Sequence, residues 1–242
     1  MRNRANYSAL ARVYDHLMRT IDYDSWAKYL FMVHDGYGGR FGSALELAAG
    51  SGNISLRLAP KFREYVCSDL SWRMLGQKDV DGASRVACDM TALPFAREFD
   101  AMFVVFDSVN YLLEKDRVLA FLNEAARLLG VDGLLHFDAS LERNSLRHTT
   151  PKRSRRQSNG VAYEQVSRYD RRTKIHTNTF SVEAPNEPRV VERHRQRIYG
   201  VKEIVELINA SDLELVDCLE GFTFRGCREE GTRAQFIARK EF

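Results

Sequence analysis

Nowhere among the 242 residues does an uninterrupted apolar stretch approach the roughly 18 residues a membrane-crossing helix needs. The start, Met1-Arg2-Asn3-Arg4, is basic, but a polar, tyrosine-rich stretch follows it instead of the apolar core of a signal peptide, so a cytoplasmic location is expected. Cysteine is sparse and unpatterned: Cys67, Cys88, Cys218 and Cys227 stand at long spacings without a CxxC pair. That removes support for a structural zinc site, and no metal is expected. Cys67 and Cys88 lie in apolar contexts and read as buried free thiols. No internal repeat appears. What the chain does have is 44% hydrophobic and 29% charged residues, the balance of a folded globular protein. Its length suits one α/β domain with an insertion. The formal charge of +3 hides an asymmetry: residues 141–200 hold 14 Lys/Arg against 6 Asp/Glu, a net of +8 that leaves about −5 for the rest. A basic segment on such a body points to an anionic partner or to a solvated insertion.

Periodicity divides the chain further. Leu10, Val13, Tyr14, Leu17, Met18 and Ile21 fall at helical spacing over 7–21, and Trp26, Tyr29, Leu30 and Val33 continue as a second short helix before Gly36, Gly38, Gly39 and Gly42. From Ser43 short apolar runs alternate with helical stretches. Strands are predicted over 44–47, 64–68, 85–88, 101–106 and 133–137, with helices over 53–58, 73–78 and 116–129 between them. This rhythm predicts a doubly wound, parallel sheet. It stops near Asp138. Residues 142–160, including Lys152-Arg153-Ser154-Arg155-Arg156, read as an exposed loop, and 161–170, 174–183 and 189–198 as three strands of an antiparallel meander. A helix over 201–210, a strand over 213–216 and a final pair, 222–224 with 234–238, complete the reading.

The first predicted strand runs into Glu46-Leu47-Ala48-Ala49-Gly50-Ser51-Gly52-Asn53 and then a helix. Glycines let a backbone turn tightly against a ligand, and a helix start offers free N–H groups to a carboxylate. A dinucleotide fingerprint wants a third glycine where this chain has Ser55, which lowers a nicotinamide reading. Asp69 follows the second strand, where an acid accepts from both ribose hydroxyls, or else caps the next helix. Asp89 follows the third, where it accepts from an adenine amino group while Met90 packs on the ring, or else simply closes a turn.

LELAAGSGN, CSDLS, ACDMTALPF and FDSVNYL together resemble the successive motifs of class I S-adenosylmethionine (SAM)-dependent methyltransferases of the small-molecule type, strongly over 43–138 and more loosely over 200–242. The resemblance implies a seven-stranded sheet, mostly parallel with an antiparallel last strand, and SAM as methyl donor. It gives Glu46 the support of the glycine turn and the methionine moiety, Asp69 the ribose and Asp89 the adenine end. Tyr7-Ser8 through Ala11-Arg12-Val13-Tyr14-Asp15 is similar to the aromatic lead-in helix whose tyrosines close over the cofactor. Ala48 stands where the commoner motif has its first glycine. The cofactor set expected on this basis is Tyr7, Tyr14, Glu46, Ala48, Gly50, Gly52, Asn53, Asp69, Leu70, Asp89, Met90 and Phe106. The organisation expected is a helical lead-in or lid (1–42), a SAM-binding domain (43–140 and 199–242) and an inserted antiparallel β cap (141–198).

Methyl transfer is an in-line displacement that rests on alignment, and a base is needed only where the acceptor must lose a proton. The [DN]PP[YF] motif of adenine-N6 methyltransferases is absent from the end of the fourth strand, which argues against DNA base methylation. Asp107, Asn110 and Tyr111 there, with Arg195 and Arg197 of the meander, are the acceptor-binding candidates. His176, His194 and Tyr14 are the weak candidates for a base. The function expected is methyl transfer to a small molecule, an anionic one included, beneath the cap. The alternatives are an RNA or protein methyltransferase using the basic insertion, and a non-catalytic SAM- or nucleotide-binding regulator. Nucleic acid is not favoured, because the basic run lacks interleaved aromatics.

Overall fold

The structure, a computed structural model, describes residue 7 and residues 9–240; Ser8 of the lead-in motif, the basic residues 1–4 and the last two residues lie outside that set. The lead-in is more broken than its periodicity predicts. A 3-10 turn, Leu10–Val13, runs into the single turn of α1 (Tyr14–Leu17), and α2 (Tyr23–Gly36) follows after a break. Asp22 starts α2 by accepting from the Ser25 N–H at 3.0 Å. Trp26, Leu30 and Val33 form its buried stripe. Behind it the Gly39 backbone passes so close to His34 that a Cβ would lie 2.2 Å from the imidazole.

The chain then lays down β1 (Ser43–Leu47), α3 (Ser55–Leu58), β2 (Glu64–Asp69), α4 (Trp72–Leu75), β3 (Ala83–Ala87), β4 (Phe99–Val104), α5 (Lys115–Leu128) and β5 (Leu129–Ser140). After the insertion come α7 (Val201–Asn209), β10 (Leu213–Glu220) and β11 (Arg233–Lys240). The seven strands stand in the order β10-β11-β5-β4-β1-β2-β3, with β11 antiparallel to both neighbours. This is the mixed sheet the motifs imply. Its central strands are apolar on both faces because both are covered. Leu45, Met102 and Leu135 meet Phe121, Leu122 and Ala125 of α5 and Ile204 and Ile208 of α7. Ala44, Ala101 and Phe103 meet Trp26 and Leu30 of α2 and Leu58 of α3. After β3 the chain crosses back to place β4 on the other side of β1. The C-terminal ends of β1 and β4 therefore flank the crevice where such sheets bind ligands.

The insertion differs from the expectation. Residues 142–160 are not a loop: they form α6 (Glu142–Leu146) and an additional strand, β6 (Lys152–Ser158). With β7 (Val161–Asp170), β8 (Ile175–Glu183) and β9 (Val190–Arg197) it makes a four-stranded antiparallel sheet in sequence order. Asn159 and Gly160, at φ 49° and 76°, supply the tight turn between β6 and β7. The basic run is thus an edge strand, where charge discourages pairing with another chain. The final pair also differs. Phe222–Phe224 is no strand; β10 extends to Glu220 and pairs directly with β11, and the Phe222 ring packs on Trp26 and Tyr29. Cys218 and Cys227, which their spacing did not pair, are disulfide-bonded across this loop with Cα atoms 5.4 Å apart.

Candidate active site

The glycine turn begins at the end of β1 with three left-handed residues: Ala48 (φ 53°), Gly50 (φ 58°) and Gly52 (φ 79°). Ala48 thus adopts the conformation a glycine would take there, at a steric cost of about 1 kcal/mol. The helix beyond the turn is a single turn starting at Ser55, so the course of the turn backbone, more than a helix dipole, defines the cradle. Asp69 closes its other side. One carboxylate oxygen accepts from the Gly50 N–H at 2.9 Å and the other from the Ser71 N–H at 2.7 Å. Burial nevertheless pushes its pKa up. Glu46 lies beneath, 1% exposed, accepting from the Ser55 hydroxyl at 2.6 Å and the Tyr65 hydroxyl at 2.8 Å. Burial raises its carboxyl to about 7, and its bond to Ser55 pins α3 behind the turn.

The lead-in is latched on this turn at one end and on the cap at the other. Asp15 accepts from Ser51 Oγ at 2.9 Å and Asn53 Nδ2 at 3.2 Å and pairs with Lys78. Although partial burial acts against it, Lys78 and these donors hold the Asp15 carboxyl below its usual range. Tyr14 follows, with its hydroxyl 4.0 Å from where a Cβ on Gly50 would sit. Burial first, then Tyr23, Tyr111, Asp107 and Asp69, raise the Tyr14 pKa well above 10, which keeps its hydroxyl protonated. At the far end, Glu192 of β9 accepts from the Tyr7 N–H at 3.1 Å and from the Ala9 N–H. The Tyr7 and Tyr111 hydroxyls meet at 2.7 Å. Tyr111 lies 3.3 Å from His194 Nδ1, and His194 Nε2 lies 3.4 Å from Glu192. His194 is buried and shares both ring nitrogens with these partners.

β4 ends on two consecutive left-handed residues, Phe106 (φ 60°) and Asp107 (φ 52°), each an uncommon state for a residue with a side chain. Phe106 packs on Trp26 at 4.4 Å and Tyr23 at 5.5 Å. The Asp107 carboxylate is gripped by Arg233 at 2.6 Å and Gln196 at 2.5 Å, and its N–H donates to Asp138 at 3.1 Å. Arg233 also pairs with Asp138, and its guanidinium lies 5.4 Å from the Trp26 ring. Asp138 is fully buried, and its second oxygen, Oδ1, has no hydrogen-bond partner among the described residues.

The other predicted residues each have surroundings of their own. Asp89 accepts from the Thr91 N–H at 2.9 Å and from Arg117 at 2.7 Å. Against partial burial, these hold its carboxyl below the usual range. Met90 packs on the main core, and Leu70 is 67% exposed beside Asp69. Asn110 does not open into a pocket. Its amide is spent on the backbone of Ser140 (2.9 and 3.2 Å) and Arg197 (2.7 Å), clamping the strands that leave for and return from the cap. Arg195 is exposed on the outer face of β9, and Arg197 reaches Glu203 at 3.7 Å and lies over Tyr199. Strand alternation explains this: Glu192, His194 and Gln196 point inward, so the arginines between them point out. His176 is held by the Ser145 hydroxyl at 2.8 Å, and burial, then His148, lower its pKa to about 4. Sequence reasoning missed Asp15, Asp138, Glu192, Gln196 and Arg233. The period-2 pattern of β9 was the one signal for Glu192 and Gln196.

The methyltransferase domain family matches residues 44–133, the stretch holding the glycine turn, Asp69, Asp89 and Asp107. "Putative methyltransferase YqeM" of Bacillus subtilis (strain 168) is 30% identical over 97% of both chains. This chain belongs to the class I SAM-dependent methyltransferases. The methyltransferase fold is shared with a SAM-dependent methyltransferase of Clostridium acetobutylicum ATCC 824 (TM-score 0.82, 21% identity, 98% of this chain and 100% of that one). It is shared also with the sugar N-methyltransferase KedS8 of Streptoalloteichus sp. ATCC 53650 (TM-score 0.78, 19% identity, 99% and 97%). Among the described residues no cluster of three or more His, Cys, Asp or Glu could hold a metal ion, and no helix is long and apolar enough to cross a membrane.

Proposed function

We propose that this methyltransferase acts on a small, uncharged or amine-bearing polar acceptor received between the end of β4, the lead-in tyrosines and the inner face of the cap. The chain's residues fit the cofactor. The left-handed turn at Ala48, Gly50 and Gly52 brings bare backbone to the surface of the cradle, with Asn53 beside it, where the methionine end would rest. Asp69 would take the ribose hydroxyls, Asp89 with Met90 and the exposed Leu70 the adenine end, and Tyr7 and Tyr14 would cover the site. Bound there, SAM supplies an electrophilic methyl group on a sulfonium sulfur.

One observation carries the acceptor class: Asp107, held in a strained conformation by Arg233 and Gln196 beside buried Asp138. Two carboxyl groups around one guanidinium make this site rich in hydrogen-bond acceptors. That disfavours an anionic acceptor and favours one presenting N–H or O–H donors. The Arg195 and Arg197 clamp that would have held an anion is turned away. Asp107 accepts a hydrogen from the acceptor and so aims its lone pair, and the buried tyrosines exclude water. The sugar N-methyltransferase KedS8, of the same fold, accords with such an acceptor.

Isothermal titration with SAM, followed by mass spectrometry of matched amino-sugar and uronic-acid panels, tests the reading. Micromolar SAM affinity is expected. In Asp69→Ala, loss of two hydrogen bonds to a charged group weakens it about 100-fold. Methylation of the amino sugars and not the acids is expected. No SAM binding at several hundred micromolar would end the cofactor assignment, and methylation confined to acids the acceptor assignment.

A further inference from the structure

The cap is one sheet thick, and only its inner face is covered, by the lead-in residues Leu10 and Val13 and by the site. On the outer face, cross-strand register aligns Arg153, Val166, Thr179 and Arg193 in one row and Arg168, Thr177 and Arg195 in the next. All four arginines are exposed. Glu164 lies 3.6 Å from Arg153, but Arg168, Arg193 and Arg195 have no ion-pair partner among the described residues. The Thr177 and Thr179 hydroxyls between them are half-exposed and make no side-chain hydrogen bond among the described residues. Glu164 and Glu183 offset Arg153 and Arg155 on this face, so the unpaired excess is Arg168, Arg193 and Arg195. An anionic partner would supply their counter-charge.

We propose that this outer face docks double-helical RNA through its shallow groove, as a holding surface separate from the methyl-transfer pocket. A-form RNA presents a wide, shallow minor groove with 2′-hydroxyls in the middle and phosphates on both rims. The sheet is its complement: threonine hydroxyls on the central strand β8 and guanidiniums on β7 and β9 to either side. The flanking strands stand about 10 Å apart, two strand spacings. Arginine forks match phosphate oxygens in pairs. The face carries no aromatic ring on which single-stranded bases would stack, and no helix to enter the major groove of DNA. RNA held here lies across the sheet from Asp107 and is not the methyl acceptor.

Fluorescence anisotropy of the full chain with a labelled RNA duplex of about 20 base pairs, comparable to what a shape-reading module spans, tests this. Micromolar binding is expected at 50 mM salt, weakening about 40-fold by 200 mM as three phosphate contacts release their counterions. R168S/R193S/R195S is expected to bind at least about tenfold more weakly, with Tm and SAM affinity unchanged because all three side chains are exposed and remote from the cofactor. The proposal is overturned if the triple variant binds as the natural chain does, or if duplex DNA or single-stranded RNA of the same sequence binds as tightly. It is also overturned if sedimentation shows that the free protein self-associates through this face and the variant does not. SAM titration of the same samples keeps its failure distinct from failure of the proposed acceptor reading.

Discussion

The seven-stranded sheet and the four-stranded cap use their residues in opposite ways. In the large sheet, strands such as β4 are buried on both faces, so side chains serve the core and chemistry is left to strand ends, where the backbone turns at Ala48–Gly52 and Phe106–Asp107. In the cap, β9 alternates buried Glu192 and His194 with exposed Arg193 and Arg195, so side chains along the strand meet the site or face solvent. One half positions ligands with main-chain geometry. The other does so with the choice of face, and a single residue's slip in register would exchange the two sets.

The largest expected effect tests the packed half. Phe121→Ala removes a fully buried ring between α5 and β5 and should cost about 3–5 kcal/mol in urea unfolding. A loss below 1 kcal/mol would mean this core is not what holds the sheet. Next comes the cap's two-faced character. Gln196→Ala removes a hydrogen bond to the Asp107 carboxylate and should lower kcat/KM about 10- to 100-fold, whereas Arg195→Ala should leave it within about twofold. Equal losses in a methyl-transfer assay would break the assignment of faces.

Acidity separates the halves more gently. Burial lowers the pKa of His34 on α2 and His136 on β5, which pack together on the large sheet, and of His176 in the cap. A histidine whose folded pKa is depressed contributes stability present above its unfolded value near 6.5 and lost as pH falls toward the folded value. Stability should therefore decline with a slope that steepens as pH falls below about 6.5. His136→Asn should flatten that slope more than His176→Asn; the reverse order would reassign the sensitivity to the cap. The smallest effect is at the turn. Ala48→Gly relieves a left-handed alanine and should raise stability by at most about 1 kcal/mol in thermal unfolding, while a loss would show that alanine's methyl is needed there.

What was legible in the sequence follows the same division. The glycine turn, Asp69 and Asp89 could be found because each sits at the junction of a strand with the next element, a property of a few consecutive residues. Asp107 was named too, but Arg233 and Asp138, which fix it, could not be. Their contacts span 95 and 126 residues and exist only because β11 inserts between β10 and β5. Gln196 meets Asp107 across 89 residues. The alternation of β9 was visible, but no property of the strand itself says which face turns inward, so weight fell on the arginines. The extra strand β6 was obscured by its charge, although Asn159-Gly160 is a local hairpin signal.

Asn110 binds the outgoing chain at Ser140 and the returning chain at Arg197 with one amide. That amide closes the base of the cap, while Glu192 and Gln196 fasten its inner face to the lead-in and to Asp107. The proposed donor cradle and the proposed acceptor face are thus carried by separate stretches of chain, joined at a few named contacts.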